Sequence, residues 1–159
     1  MKKLFLLSAL ALCLSACTSF PTITQLPQQQ VASETFKVER RQNQTLYQTS
    51  LLTVQFMPNQ WRWVQTEPLG SPLARLLLTP QGWQNDGFVM PNSQAQWLFL
   101  ALAYEFSPPL RTDLIEVQQT SQNKIYRRRG EWLWTTRVLI EQWEIVLADG
   151  SEWHIERLN

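Results

Sequence analysis

The chain alternates apolar and polar residues in two separate regions, with one continuous apolar run between them. Alternation with a period of two predicts half-buried β-strands, and clusters of Pro, Gly and Asn between the segments predict turns. The predicted strands are residues 34–57, 61–64, 73–79, 124–126, 131–134, 137–147 and 151–158. Asp149-Gly150, between the last two, is a strong signal for a short hairpin. The pattern therefore predicts antiparallel strands interrupted by one different element.

That element is the unbroken apolar run at residues 97–104, which predicts a helix. Ser93, with Gln96 three positions later, forms a capping-box pattern directly before the run. The run is apolar on all sides, so the helix must be buried all round or lie in an apolar groove. A Pro-Pro pair at 108–109 is expected to end it, and residues 110–117 fit either a short helix or a strand.

Strands before and after a single apolar helix predict a mainly β fold of the α+β class. A sheet that curves around such a helix covers its own concave face with the helix instead of a second sheet. We therefore expect residues 34–159 to form one domain, an antiparallel curved sheet or incomplete barrel with a hydrophobic helix in its concave face.

The N-terminus predicts export and lipidation. The chain begins with the three regions of a signal peptide: two lysines, a short apolar stretch and the sequence Leu14-Ser15-Ala16-Cys17. The predicted signal peptide is residues 1–16, with cleavage between Ala16 and Cys17. Residues 14–17 resemble the lipobox of bacterial lipoproteins, which implies that the Cys17 thiol receives diacylglycerol. The alternative is an ordinary secretory signal with a chance cysteine. The apolar stretch is too short to span a bilayer, which takes about 20 residues.

The residue after the cysteine bears on localisation. In proteobacterial sorting an Asp at this place retains a lipoprotein in the inner membrane, so by resemblance Thr18 favours the outer membrane, with the domain facing the periplasm. Acyl chains anchor a protein stably, at roughly 0.8 kcal/mol per buried methylene. Residues 17–33 contain two prolines, four glutamines and no charge, a composition that predicts an extended tether.

Composition excludes some classes of partner. Cys13 leaves with the signal, so the mature chain has one cysteine and no internal disulfide. Loss of Lys2 and Lys3 leaves 12 basic residues against 13 acidic ones, which gives no bias toward nucleic acid. We expect a monomer without a cofactor, attached to the membrane through its lipid.

The chain resembles a family of small bacterial lipoproteins in the order of its elements. These are a lipobox, a glutamine-rich tether, strands, Pro68-Leu69-Gly70 followed by residues 73–76, the apolar helix 97–104 and a closing hairpin. Members of the family often lie beside genes for aryl polyene lipids, and the family is related to the lipoprotein carriers LolA and LolB. The resemblance implies the carriers' incomplete barrel with an apolar cavity, over about residues 34–159. No residue is matched to the carriers' protruding hydrophobic loop.

Large apolar side chains on the predicted elements are the candidate lining of a cavity for an acyl, polyene or lipoprotein ligand. The alternative is that they fill the core of a disulfide-free domain. The candidates are Trp61, Trp63, Leu76, Leu78, Trp97, Leu98, Ala101, Leu102, Tyr104, Trp132, Trp134, Trp143 and Trp153.

Polar candidates are few. Arg127-Arg128-Arg129-Gly130 is read as a hairpin tip that either contacts anionic lipid headgroups or is a solvated turn with Gly130 at positive φ. His154 is interpreted as a strand-face residue, because one histidine without cysteines cannot build a zinc site. No nucleophile with a neighbouring base and no phosphate-binding loop is visible, so we expect neither catalysis nor a metal.

These observations favour a non-enzymatic outer-membrane lipoprotein that binds and localises acyl lipids or lipoproteins. The alternative is a structural or assembly lipoprotein that contacts partner proteins and holds no small ligand.

Overall fold

The structure, a computed structural model, describes residues 20–107 and 115–158. The signal sequence, Cys17, the Pro-Pro pair and residues 110–114 lie outside the described residues. The strands are β1 (Ser33–Gln42), β2 (Thr45–Met57), β3 (Gln60–Thr66), β4 (Pro72–Thr79), β5 (Gly82–Asn85), β6 (Glu116–Gln119), β7 (Asn123–Arg128), β8 (Glu131–Leu139), β9 (Gln142–Leu147) and β10 (Glu152–Leu158). One helix, α1 (Ser93–Phe106), separates β5 from β6.

All ten strands form one antiparallel sheet. Its order is β5-β4-β3-β2-β1-β10-β9-β8-β7-β6, so the first and last long hairpins meet at the β1–β10 pair in the centre. Each edge strand has only four residues, and β5 and β6 do not pair with each other, so the sheet is open. The predicted mainly β, antiparallel architecture is confirmed.

Helix α1 is buried as its composition predicts. Residues 98–103 are each 0% exposed, so no face of this stretch meets solvent. The N-cap is Asn92, one residue earlier than the capping-box pattern suggests, and its side-chain oxygen accepts from the Ala95 backbone N–H at 3.1 Å. The helix also starts before and ends after the predicted residues 97–104, and at its start the Asn92 cap and the buried Ala95 stabilise a first turn that is mostly polar.

Ring contacts indicate that the sheet curves around α1. Phe99 stacks on Trp63 of β3 at 5.3 Å between ring centroids, and Tyr104 packs edge-on to Trp134 of β8 at 5.5 Å. These strands are five positions apart in the sheet order. A flat sheet would separate them by roughly 24 Å, about twice the width of a helix with its side chains. One helix contacts both because the sheet is bent.

Two turns differ from the predicted strand boundaries. The predicted strand 34–57 is a hairpin that turns at Asn43 and Gln44, both in the left-handed region at φ 50° and 65°. The predicted strand 137–147 is likewise divided by a turn at residues 140–141, where Glu141 has φ 54°. Both predictions were wrong because neither turn contains the Gly or Pro that usually marks one.

The N-terminal segment also differs from the predicted extended tether. Residues 20–32, named the N-terminal strap here, pack against the domain over their length. Ile23 is 1% exposed within the core, Phe20 packs on Trp97 of α1 at 4.6 Å, and Gln29 donates to the Phe106 carbonyl at 3.1 Å. The segment therefore belongs to the domain, and its polar composition hid the few apolar side chains that attach it.

We expect Ile23→Ala to lower the free energy of unfolding by about 2–5 kcal/mol, because it removes a buried side chain from a filled core. Val31→Ala is the control, since Val31 is in the same segment and 47% exposed. Urea denaturation monitored by tryptophan fluorescence measures both. Equal, small effects of the two substitutions would show that the strap does not pack on the domain.

Candidate functional site

Most of the predicted cavity residues form the hydrophobic core. Eleven of the thirteen are buried, at 9% exposure or less: Trp61, Trp63, Leu76, Leu78, Leu98, Ala101, Leu102, Tyr104, Trp134, Trp143 and Trp153. Four of them belong to α1 and the other seven to the sheet around it, and Phe36 and Phe106 pack in the same core. The concave face is thus filled by the protein's own helix, as the core-filling interpretation expects. A cavity open to a ligand stays a prediction.

The two remaining candidates lie at the margin of the core. Trp132 is 37% exposed, and its indole Nε1 donates to the Thr135 hydroxyl at 3.0 Å. Trp97 is half-buried, with Phe20 of the strap on its ring. Trp97 also lines an open groove, so its side chain contacts the strap and borders a surface that faces solvent.

The margin groove lies between the first turns of α1 and the strands β8 and β9, and encloses about 420 Å³. Its lining residues are Ser93, Gln94, Trp97, Leu133, Leu147, Ala148 and Asp149. Four of the seven, Trp97, Leu133, Leu147 and Ala148, are apolar and form most of the lining. Among the polar lining residues, Asp149 accepts from the Gln94 amide at 2.7 Å and from the Ser151 hydroxyl at 2.6 Å.

The charge of Asp149 is fixed by these contacts. Burial acts to raise the pKa of its carboxyl, but hydrogen bonds from Ser151 and Gln94 outweigh burial and hold the pKa below its ordinary value. One end of the groove is therefore anionic at neutral pH.

The antiparallel order places five connections at one end of the sheet. Because odd-numbered strands all run one way, the turns after β1, β3, β7 and β9 share an end with the β5–α1 loop and the start of α1. The contact of Gln94 with Asp149 in the β9–β10 turn agrees with this placement. We call this end the N-cap end.

Exposed apolar side chains collect at the N-cap end. Among the described residues, six large apolar side chains are more than half exposed, and five of them lie there: Leu46, Tyr47, Leu69, Phe88 and Met90. The opposite end carries the sixth, Ile140 in the β8–β9 turn, together with five side chains that are 37–47% exposed: Val31, Met57, Val138, Leu139 and Leu158. Leu69 in the β3–β4 turn is 96% exposed, and Phe88 in the β5–α1 loop is fully exposed. The most exposed apolar side chains therefore share one end of the sheet, which makes this end the candidate interaction surface.

An ion pair holds the β5–α1 loop that carries Phe88. Asp86 accepts from Arg62 Nε at 2.6 Å and from Arg75 Nη2 at 3.1 Å, which ties the loop to β3 and β4. The Arg62 hydrogen bond lowers the pKa of the Asp86 carboxyl against the effect of burial, and Arg75 lowers it further. Gly87 follows at φ +92°, a backbone conformation that other residues rarely adopt.

The arginine run is a hairpin tip, as predicted. The arginine turn, defined as residues 127–130, joins β7 to β8 at the N-cap end, with Arg129 exposed in the turn and Gly130 at φ +82°. The strand register places Glu116 opposite Arg127 and Glu131 opposite Arg128.

His154 lies on β10, in line with its prediction as a strand-face residue. Its Nδ1 is 3.7 Å from a Glu144 carboxylate oxygen, and its side chain is 37% exposed. Within residues 20–107 and 115–158 there is no group of three or more His, Cys, Asp or Glu side chains placed to hold a metal ion. No helix in the same residues is long and apolar enough to cross a membrane.

A buried carboxylate fixes the C-terminal end of α1. The Glu105 side chain is 3% exposed and accepts from Lys124 Nζ at 2.5 Å and from the Tyr126 hydroxyl at 2.8 Å. Burial raises the pKa of Tyr126, and the Glu105 carboxylate raises it further, so the tyrosine remains a neutral donor. Both ends of the helix are therefore joined to the sheet by polar contacts.

Sequence reasoning missed the exposed apolar residues at the N-cap end. Leu69 and Phe88 follow Pro or Gly within turn sequences, where an apolar side chain has no strand or helix face to bury it. A search for large apolar residues inside predicted turns would have found them. Leu133 was assigned only to a strand, and its place beside Trp97 depends on the folded sheet.

We expect Asp86→Asn to lower stability at neutral pH by about 1 kcal/mol, a modest loss because both arginines are about one-third exposed. A carboxyl whose pKa is lowered on folding stabilises the fold at pH values above its ordinary pKa of 3.8. This contribution is lost as the pH falls through the lowered pKa. The difference between wild type and variant in thermal unfolding should therefore shrink as the pH is lowered below the ordinary carboxyl pKa of 3.8. Glu67→Gln, at an exposed site in another turn, is the control. A difference that stays constant with pH would contradict the assignment.

Comparison with known proteins adds no relative to this description. No family model matches the chain, and no curated protein matches it. The fold and the candidate surfaces therefore rest on the residues and contacts described above.

Proposed function

We propose that this chain is an outer-membrane lipoprotein, anchored through Cys17, that binds acyl lipids or lipoproteins without catalysis and helps to localise them. Its domain faces the periplasm and holds the N-cap end toward the bilayer. The observation that carries the proposal is that five of the six apolar side chains more than half exposed among the described residues share the N-cap end, with Phe20, the first described residue, packed on Trp97 of α1.

The position of the strap supports this orientation. Phe20 packs on Trp97, which lies in the second turn of α1, about 6 Å along the helix from its start. Cys17 precedes Phe20 by three residues, which span at most about 11 Å. An acyl group on Cys17 is therefore attached within about 11 Å of Phe20 along the chain, which keeps the domain close to the membrane surface.

The fold supports a relation to the lipoprotein carriers. An open antiparallel sheet bent around an apolar helix is the form that the resemblance to LolA and LolB implies. The β3–β4 turn projects Leu69 into solvent, which supplies a candidate for the protruding hydrophobic loop of those carriers. The related family's frequent proximity to aryl polyene genes adds polyene lipids to the ligand classes.

The filled concave face favours a second candidate function. A structural or assembly lipoprotein needs no cavity, and eleven predicted cavity residues lie in the core. Such a protein could pair a partner strand with β6, whose four residues are all exposed at the sheet edge. It would bind a protein partner and leave the N-cap end outside the bilayer.

A fluorescent probe distinguishes the two candidates. The mature lipoprotein has no free thiol once Cys17 is acylated, so Phe88→Cys and Ile140→Cys each introduce a single labelling site at opposite ends. Both side chains are at least 92% exposed, so both substitutions should fold normally. In proteoliposomes containing phospholipids brominated on their acyl chains, we expect quenching of the probe at 88 and little at 140, because bromine quenches only what enters the hydrocarbon region.

Equal, weak quenching at both positions would contradict the proposed orientation and favour the assembly function. Stronger quenching at 140 would place the opposite end in the membrane. Labelling of the protein without either substitution tests the role of Cys17, since a free thiol there would show that it is not acylated.

A further inference from the structure

We infer that the margin groove is a binding site for one acyl chain of an anionic phospholipid, whose phosphate contacts the arginine turn. This inference rests on the proposed function and specifies its ligand class and site. The proposed ligand lies in the margin groove and not in the concave face, because α1 occupies that face.

The shape and lining of the margin groove fit an acyl chain. Its volume of about 420 Å³ lies within the range of small-ligand sites, about 300–1,000 Å³. Trp97, Leu133, Leu147 and Ala148 provide apolar contacts on both sides, from the helix and from the strands. Two of the three polar lining residues, Gln94 and Asp149, are already hydrogen-bonded to each other. A polar ligand would find few partners inside, whereas a hydrocarbon chain leaves no donor or acceptor unpaired.

The charges around the groove select an anionic headgroup and orient it. Strand β8 leads from Leu133 back to Glu131, and the arginine turn directly precedes it, so Arg129 lies at most about 14 Å from Leu133. Asp149 at the other side is anionic and would repel a phosphate. The headgroup therefore lies toward Arg129, where each arginine near a membrane contributes attraction.

The aromatic residue beside the turn fits the same boundary. Trp132 lies between Arg129 and Leu133 in sequence and is part exposed, with its indole N–H bonded to Thr135. Tryptophan is enriched where an apolar region meets a polar one, at the level of lipid headgroups.

The source of the lipid is the bilayer itself. Trp97 carries the strap residue Phe20 and also lines the groove, so the groove is beside the expected attachment of the anchor. The N-cap end is also the end with the exposed apolar side chains. A phospholipid could therefore move one chain from the bilayer into the groove without crossing water.

Photolabelling of the intact lipoprotein tests the inference. The probe is lysophosphatidylglycerol with a diazirine in its single acyl chain, added to the purified protein in neutral detergent micelles, with mass spectrometry of the labelled peptides. We expect labelling of peptides that contain Leu133 or residues 147–148. Ala148→Trp, at an exposed position, should fill the groove and reduce this labelling about tenfold, while Ile140→Trp at the opposite end should not. An unchanged thermal transition shows that both variants fold.

A second variant isolates the headgroup. Arg129→Glu should reduce labelling by lysophosphatidylglycerol about fivefold or more and leave labelling by the zwitterionic lysophosphatidylcholine probe nearly unchanged. Equal effects on both probes would overturn the assignment of the phosphate to the arginine turn.

Labelling that maps elsewhere and persists in Ala148→Trp would overturn the groove as the site but leave an acyl-lipid-binding protein. No specific labelling by either probe would overturn the inference and count against the proposed function. Transfer of label to Cys17 peptides alone would mean that the probe enters the micelle around the anchor and not the groove.

Discussion

The structure depends on the burial of one apolar helix on every side. A helix with a single apolar stripe needs one surface to pack on, but residues 98–103 of α1 present apolar atoms all round. Exposing them would cost roughly 25 cal/mol for each Å² of apolar surface, so the rest of the chain must enclose them. The bent sheet contacts the helix from β3 to β8, and the N-terminal strap adds Phe20 and Ile23.

Enclosing the helix moves the candidate functional surface away from the centre. Tryptophans that could line an open cavity instead pack on α1 and on each other, as the stacking of Trp63 on Phe99 illustrates. What remains for interaction is the N-cap end, where turns must leave the sheet and where Leu69 and Phe88 are exposed. The arginine turn and the margin groove are at the same end. One end of the molecule thus combines apolar and cationic side chains.

Much of the fold could be predicted from the sequence because it is expressed in local patterns. Alternation in the strands, the apolar run of α1 and turn residues such as Gly130 each act within a few neighbouring positions. The strap could not be predicted in this way, since Ile23 is one apolar residue in a polar segment and its partners come from distant elements. The turn at Asn43 and Gln44 lacked the usual glycine. The candidate site was predicted less well: the arginine turn was found, but Leu133 joins Trp97 only after the sheet has formed around the helix.

Hydrogen exchange of the α1 backbone amides tests the enclosed helix most directly. If the helix lies within the bent sheet, the amides of residues 98–103 should exchange only through global unfolding, with the same free energy as amides of the central β1–β10 pair. Exchange of these helical amides at a markedly lower free energy, while β1 and β10 remain protected, would show that α1 leaves the sheet without unfolding it. That result would contradict the account.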